Sequence, residues 1–116
     1  MNISIIVPTY NNLNFLKHFL SSIKKNSNYK HQIILHINDG SDGTLDFAKK
    51  NKIVYSYSKK NIGLCSSLNM AAKLSKYNLI LYAHDDMFFC KNWDFFLKYE
   101  INKFSNNLYY LTGTNV

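Results

Sequence analysis

Asn78-Leu-Ile-Leu-Tyr-Ala-His-Asp-Asp-Met87 is the stretch from which the fold is read. Its apolar run, residues 79–83, passes without a break into His84, Asp85 and Asp86. Five apolar residues in a row predict a strand covered on both faces, as in a parallel sheet. Adjacent carboxylates at the exit of such a strand repel each other unless a cation sits near them. In an open α/β sheet, the carboxyl ends of the strands are where ligands bind. A hard, oxygen-seeking divalent cation carrying phosphates suits the pair. The plainer alternative is a turn or helix start, where Asp is common.

The chain on either side alternates between two periods. Residues 3–7 are a β-branched run that Pro8, which cannot donate to a ladder, is expected to end. Thr9-Tyr10-Asn11-Asn12 reads as a turn, with Asn11 or Asn12 capping a helix whose apolar face is Leu13, Leu16, Phe19, Leu20 and Ile23. Residues 31–37 read as a second strand. The polar loop Asn38-Asp-Gly-Ser-Asp-Gly43 follows, and Thr44 is placed to cap a short helix. Residues 53–57 alternate as a third strand, leading through Ser58-Lys-Lys-Asn-Ile-Gly63 into a helix with Leu64, Leu68, Ala71 and Ala72 on one face. After the Asp pair, Asn92 is the expected cap of a helix bearing Trp93, Phe96, Leu97, Ile101 and Phe104, and residues 108–111 read as a last short strand. This β-α alternation predicts right-handed crossovers and a doubly wound, mainly parallel α/β sheet, one domain over residues 1–116. The exit loops, residues 8–12, 39–43, 59–63 and 84–86, then share one edge, and they hold nearly all of the chain's interesting polar residues.

Composition narrows the function classes. The 116 residues are 47% hydrophobic and 18% charged, values of a globular domain with a real core. The net charge of +7 comes wholly from lysine, because the sequence contains no arginine. Lysine supplies point charges rather than the forks that read base edges, which disfavours a nucleic-acid binder. With no clear basic stripe in linear order, an anionic-membrane binder is disfavoured too. A solvated lysine surface, reflecting a composition rich in Lys, Asn, Ile and Tyr, is the plainer account. Cys65 and Cys90 stand alone and read as free thiols of a reducing compartment. No apolar run approaches the ~18 residues that span a bilayer, and the N-terminus lacks secretory features. The expected location is cytoplasmic, at most peripheral to a membrane.

Neither GxxxxGK(S/T) nor GxGxxG is present, which argues against P-loop and Rossmann-dehydrogenase sites. His31 and His36 lie five apart on one strand and point to opposite faces, so they do not chelate one metal together. Phe88, Phe89, Trp93, Phe95 and Phe96 read as packing, with Trp93 the best sugar-stacking candidate among them. Asp39 follows a buried strand in a glycine-flanked loop. A carboxylate there can accept N–H bonds from a flat heteroaromatic ring, although Asp-Gly is also an ordinary turn.

Taken together, Ile3-Ser-Ile-Ile-Val-Pro-Thr-Tyr-Asn11, Ile37-Asn-Asp-Gly-Ser-Asp-Gly-Thr44, Asn61-Ile-Gly63 with Asn69, and Leu81-Tyr-Ala-His-Asp-Asp86 resemble the family 2 inverting glycosyltransferases. The resemblance runs in order over almost the whole chain. It implies a GT-A (Rossmann-like) nucleotide-diphospho-sugar-binding fold. It also implies that Pro8, Thr9 and Tyr10 line the base and ribose pocket, and that Asp39 hydrogen-bonds the base, typically uracil. Lys60, Asn61 and Gly63 would lie near the nucleotide, and Asp85 would hold the ribose or a metal-bound water. Asp86 would coordinate the Mn2+ or Mg2+ that bridges the diphosphate, with Asp85 or His84 as further candidates. His84 stands where the family's pattern has an acid. The implied activity is transfer of a sugar, from a UDP-sugar, to a hydroxyl of a glycan or lipid-linked acceptor. Family members usually continue for about as many residues again, and that portion carries the acceptor site and the base. Asp94 and Glu100, the later acids, read as helix residues, so no catalytic base is assigned. The expectation is a truncated or minimal donor-binding half, its missing part covered by a homo-oligomer or a partner. The alternative is a non-catalytic nucleotide-sugar-binding or regulatory module.

Overall fold

The computed structural model describes residues 1–106 and 109–113. Strands β1 (Ser4–Tyr10), β2 (Gln32–Asn38), β3 (Val54–Ser58) and β4 (Ile80–Tyr82) alternate with helices α1 (Leu13–Asn26), α2 (Thr44–Lys50), α3 (Leu64–Ala72) and α4 (Trp93–Ile101). The sheet order is β3-β2-β1-β4 and every pairing is parallel. The chain winds outward from β1 through β2 to β3 and then returns to the other side of β1. That reversal places a topological switch point, the usual ligand crevice, beside the carboxyl end of β1.

The period-two alternation of β1 and β2 sorts their side chains onto two faces. Ile5, Val7, Leu35 and Ile37 turn to one face and pack with Leu16, Phe19 and Ile23 of α1 and Ala48 of α2. Ile6 and Ile34 turn to the other face and meet Leu68, Ala71 and Ala72 of α3. The second face is the more polar one, since Ser4, His36 and Asn38 are buried there as well. Burial lowers the His36 pKa and favours the neutral ring. Its nitrogens lie 2.7 Å from Ser56 Oγ and 3.0 Å from Ser58 Oγ.

Several elements differ from expectation, each for a local reason. Pro8 lies inside β1, in register with His36 of β2. Strand β4 pairs only with Ser4, Ile5 and Ile6, so at Pro8 the other side of β1 has no ladder to lose a donor from. β4 itself is an edge strand rather than one covered on both faces: Ile80 is 46% and Tyr82 36% exposed. Both sit in register with Ser4 and Ile6, on the α3 side, and remain partly open to solvent there. Tyr109–Leu111 form no strand, and Leu108 lies outside the described residues. Neither Asn11, Asn12 nor Asn92 caps a helix through its side chain. The cap of α1 comes instead from Asp42, whose Oδ2 accepts the Leu13 N–H at 3.0 Å. Asp42 Oδ1 also accepts from the Thr44 N–H and hydroxyl, at 3.1 and 2.6 Å. Cys65 and Cys90 are free and exposed. Among the described residues no helix is long and apolar enough to cross a membrane.

Candidate functional site

With all strands parallel, the four exit loops meet along the carboxyl edge, as the alternation requires. Between them lies a cleft of about 320 Å3. Pro8, Thr9 and Tyr10 form one side; Asn61, Gly63 and Ser67 form another; His84 and Asp85 close it. Thr9 is buried and its hydroxyl donates to Asp85 Oδ2 at 2.8 Å, tying the end of β1 to the loop after β4. One oxygen of a half-buried carboxylate is thereby fixed, while the other accepts no hydrogen bond from the described residues.

The second acid is held in the same way. Asn11 Nδ2 donates to Asp39 Oδ2 at 3.0 Å, and the Ser41 N–H reaches Oδ1 at 3.2 Å. These donors, Asn11 foremost, keep the Asp39 carboxyl below the usual carboxylate range, so it is ionised and acceptor-only at neutral pH. Both partners have left-handed backbones, φ 47° at Asn11 and φ 64° at Asp39. Asn and Asp are the side-chain-bearing residues that enter that region most readily. Gly40 follows at φ 76°, where a Cβ would lie 2.7 Å from Ile37 Cγ2. Only glycine lets the loop turn so tightly over the core.

Asn38 braces the remaining loop. Its Oδ1 accepts from the Ile62 N–H at 3.0 Å and from Ser58 Oγ at 3.0 Å, and its Nδ2 donates to Ser67 Oγ at 3.1 Å. The loop before α3 is thus built onto the end of β2. The sequence alone assigns no site role to Asn11, Asn38 or Ser67. A polar residue at the last position of an otherwise apolar strand, as Asn38 is, is the signal that could have found it. For Asn11 and Ser67 linear order offers no comparable mark.

The structure brings Pro8, Thr9, Tyr10, Asn61, Gly63, His84 and Asp85 to the cleft. Asp39 is bonded to its neighbour Asn11 at the same edge. Asp39, which is half-buried, and Lys60 and Asp86, which are exposed, do not line the cleft. The His84 ring lies 4.8 Å from that of Tyr82, whose hydroxyl sits 3.1 Å from Nε2 and 3.2 Å from Nδ1. Among the described residues no group of three or more His, Cys, Asp or Glu is placed to hold a metal ion. Trp93 lies elsewhere: its indole N–H donates to Ser27 Oγ at 2.9 Å, and its ring packs against Phe89 and His31. It serves the core at the opposite edge and offers no platform in the cleft.

Asp94, read from sequence as an ordinary helix residue, is fully buried. It accepts the Asn28 and Tyr29 N–H groups and the Asn28 side-chain amide, and it contacts His31 Nε2 at 2.9 Å. Burial alone would raise its pKa, but these bonds outweigh burial and hold it at about 2. It is a pin that fastens α4 to the α1–β2 loop.

A parallel sheet with its crevice at the β1–β4 switch point is the architecture of doubly wound, nucleotide-binding α/β domains. Residues 4–104 match the family described as Glycosyl transferase family 2, and the chain belongs to that family. It is similar to an uncharacterized glycosyltransferase of Rickettsia bellii, 32% identical over 108 residues, covering 88% of this chain and 16% of that one. A second, from Rickettsia typhi, is 34% identical over 91 residues, covering 75% of this chain and 28% of the relative. The chain therefore spans less than a third of the length of the curated relatives it matches. Among solved structures, S. aureus TarS in complex with UDP has a TM-score of 0.77 at 24% identity, over 89% of this chain and 32% of that one. The mannosyltransferase PcManGT of Pyrobaculum calidifontis, in complex with GDP-Man and Mn2+, has a TM-score of 0.64 at 17% identity, over 75% of this chain and 28% of its own. Both likenesses are of fold, the GT-A α/β architecture.

Proposed function

We propose that this chain is the donor-binding part of a glycosyltransferase that takes its sugar from a uridine diphosphate sugar. The observation that carries the reading is the pairing of two strand-exit carboxylates, each with a side chain from the end of β1: Asp39 with Asn11, and Asp85 with Thr9. An ionised Asp39 can accept the imide N–H of uracil. The Asn11 Oδ1 beside it is buried without a partner among the described residues, an unmet acceptor of the kind a ligand donor satisfies. Pro8, Thr9 and Tyr10 present the end of β1 to the base and ribose. Asn61 and Gly63, braced from Asn38, offer backbone and amide groups on the far side of the cleft. Lys60, exposed nearby, supplies a cation for phosphate.

Mn2+ or Mg2+ fits the donors present as a shared ion rather than a caged one. The free oxygen of Asp85 and the exposed Asp86 are hard ligands, and substrate phosphates would complete the shell. His84, which lies against Tyr82, is assigned a neighbouring rather than a ligating role. When bound, such an ion neutralises charge on the departing diphosphate. The chain's own part is to hold the donor: Thr9 orients Asp85, and Asn11 orients Asp39. The acceptor would be a hydroxyl of a glycan or of a lipid-linked sugar. Exposed Ile80, Tyr82 and Phe96 are expected to be covered by the portion that longer relatives possess, by a second copy or by a partner.

A second reading is a nucleotide-sugar-binding module without transfer, in which the later acids among the described residues have structural roles. Asp94 is consumed by its hydrogen bonds, and Glu100 is paired with Lys103 at 3.1 Å. Calorimetry with UDP and Mn2+ tests the shared premise: binding is expected, weakened at least ~10-fold by Asp39→Ala and by Asp86→Ala. Absence of heat and of thermal shift at millimolar nucleotide would overturn both readings. Turnover of a UDP-sugar, by hydrolysis or transfer, would separate the first from the second.

A further inference from the structure

The carboxyl edge of the sheet holds Asp39, Asp42, Asp85 and Asp86; the amino edge holds the opposite charge. Because every strand is parallel, the helices α1, α2 and α3 run back and end at the amino edge. The last turns of α1 and α2 carry Lys24, Lys25, Lys49 and Lys50. The connections into β2, β3 and β4 add Lys30, Lys52, Lys73 and Lys76, and all of these are exposed. Asp94, which reaches the same edge, is buried and bonded to the chain. In linear order these lysines are scattered; the topology collects them. Helix dipoles account for the last-turn lysines, but not for those in the connections. A composition rich in lysine would load both edges alike, whereas the exits of β1 to β4 bring only Lys59 and Lys60 to the carboxyl edge.

Between α1 and α2 the amino side opens into a groove of about 640 Å3. Leu20, Ile23, Ile33, Phe47 and Ile53 line it with apolar surface. Lys17, Lys24 and Lys30 supply its charge, and no carboxylate is among its lining residues. An apolar floor with a purely cationic complement is chemically matched to an anionic amphiphile.

We propose that the amino edge docks on an anionic phospholipid surface, its lysines meeting headgroup phosphates and the α1–α2 groove receiving the apolar part of a lipid. Lysine point charges suit the dispersed phosphates of a headgroup layer. Reading a nucleic acid favours arginine forks, which this chain lacks, and would leave the apolar groove without a use. Docking in this orientation leaves the nucleotide cleft, at the other end of the strands, facing away from the bilayer.

Co-sedimentation with vesicles tests the proposal. Binding to phosphatidylglycerol–phosphatidylcholine vesicles is expected at low salt, with little binding to phosphatidylcholine alone. The double variant Lys24→Glu with Lys30→Glu should weaken it at least ~10-fold, and the charge-matched Lys59→Glu with Lys103→Glu by less than ~2-fold. Circular dichroism and UDP binding, unchanged in the first variant, show that the fold is intact and separate this result from the nucleotide site. Equal loss in both variants would reduce the effect to net charge and overturn the proposal. So would equal binding to uncharged vesicles, or equally tight binding of a single-stranded oligonucleotide that displaces the vesicles.

Discussion

Asn11 donates to Asp39 across 3.0 Å, joining the ends of neighbouring strands through two residues that both hold left-handed backbones. The left-handed state costs roughly 1 kcal/mol or more for a side-chain-bearing residue and little for glycine. Asn11→Gly therefore keeps the backbone and removes the bond, while Asn11→Ala removes the bond and keeps the strain. Both are expected to weaken UDP about 3- to 10-fold, with only Asn11→Ala also lowering the unfolding temperature.

The same bond has a pH signature. Asn11, then Ser41, hold the Asp39 carboxyl below its ordinary value of 3.8. A base contact that needs the carboxylate then persists as pH falls and fails only below that lowered value. In Asn11→Gly the failure should move to higher pH. UDP titrations between about pH 3 and pH 7 would check this, and an unmoved profile would show that Asn11 does not set the ionisation.

Thr9→Val keeps the volume of a buried residue and deletes the hydroxyl that holds Asp85 at 2.8 Å. The released carboxylate should lose its fixed aim. Calorimetry should find UDP binding in Mn2+ weakened about 5- to 20-fold, with binding in EDTA nearly unchanged. Equal losses in both buffers would place Thr9 on the nucleoside rather than on the ion's side of the cleft.

Asn38→Leu is close in size but strips the amide that accepts the Ile62 N–H and donates to Ser67. Leaving these groups unmet should cost about 2–3 kcal/mol. It should also speed hydrogen exchange at the Ile62 amide, read by mass spectrometry or NMR. Protection equal to that of the unaltered chain would mean the loop is held by something other than Asn38.

Asp94 sets the acid limb of stability. Its folded value of about 2 lies below the ordinary 3.8. Its contribution is therefore complete above about pH 4 and is lost as pH falls toward about 2, close to 2 kcal/mol in all. Asp94→Asn, which turns an amide toward the Asn28 and Tyr29 donors, should lose at least about 2 kcal/mol at neutral pH. Its stability should then vary less between about pH 4 and pH 2, as denaturant titrations would record.

The β-α alternation was legible because parallel strands and their return helices each impose a period on apolar residues, and Ile5 to Val7 or Leu16 to Ile23 display it plainly. Once strands are parallel, their exits must share an edge, so the convergence of Thr9, Asp39 and Asp85 on one side followed from chain order alone. The edge position of β4 did not follow. Leu79 to Ala83 is apolar enough for a strand covered on both sides, but how far a face is covered depends on which helices lie over it. Pro8 lies within β1 rather than at its end for a similar reason, since a missing donor matters only where a neighbouring ladder needs it.

By itself, then, the sequence determined the parallel α/β class and the carboxylates that stand at its strand exits, because local periodicity and connectivity are sufficient for both. Only the tertiary structure decided which residues hold those carboxylates, since Asn11–Asp39 and Thr9–Asp85 join positions 28 and 76 residues apart. It also decided that lysines from separate loops form one cationic edge. Contacts of that range leave no periodic trace in the chain, and they exist only after the strands have been laid side by side.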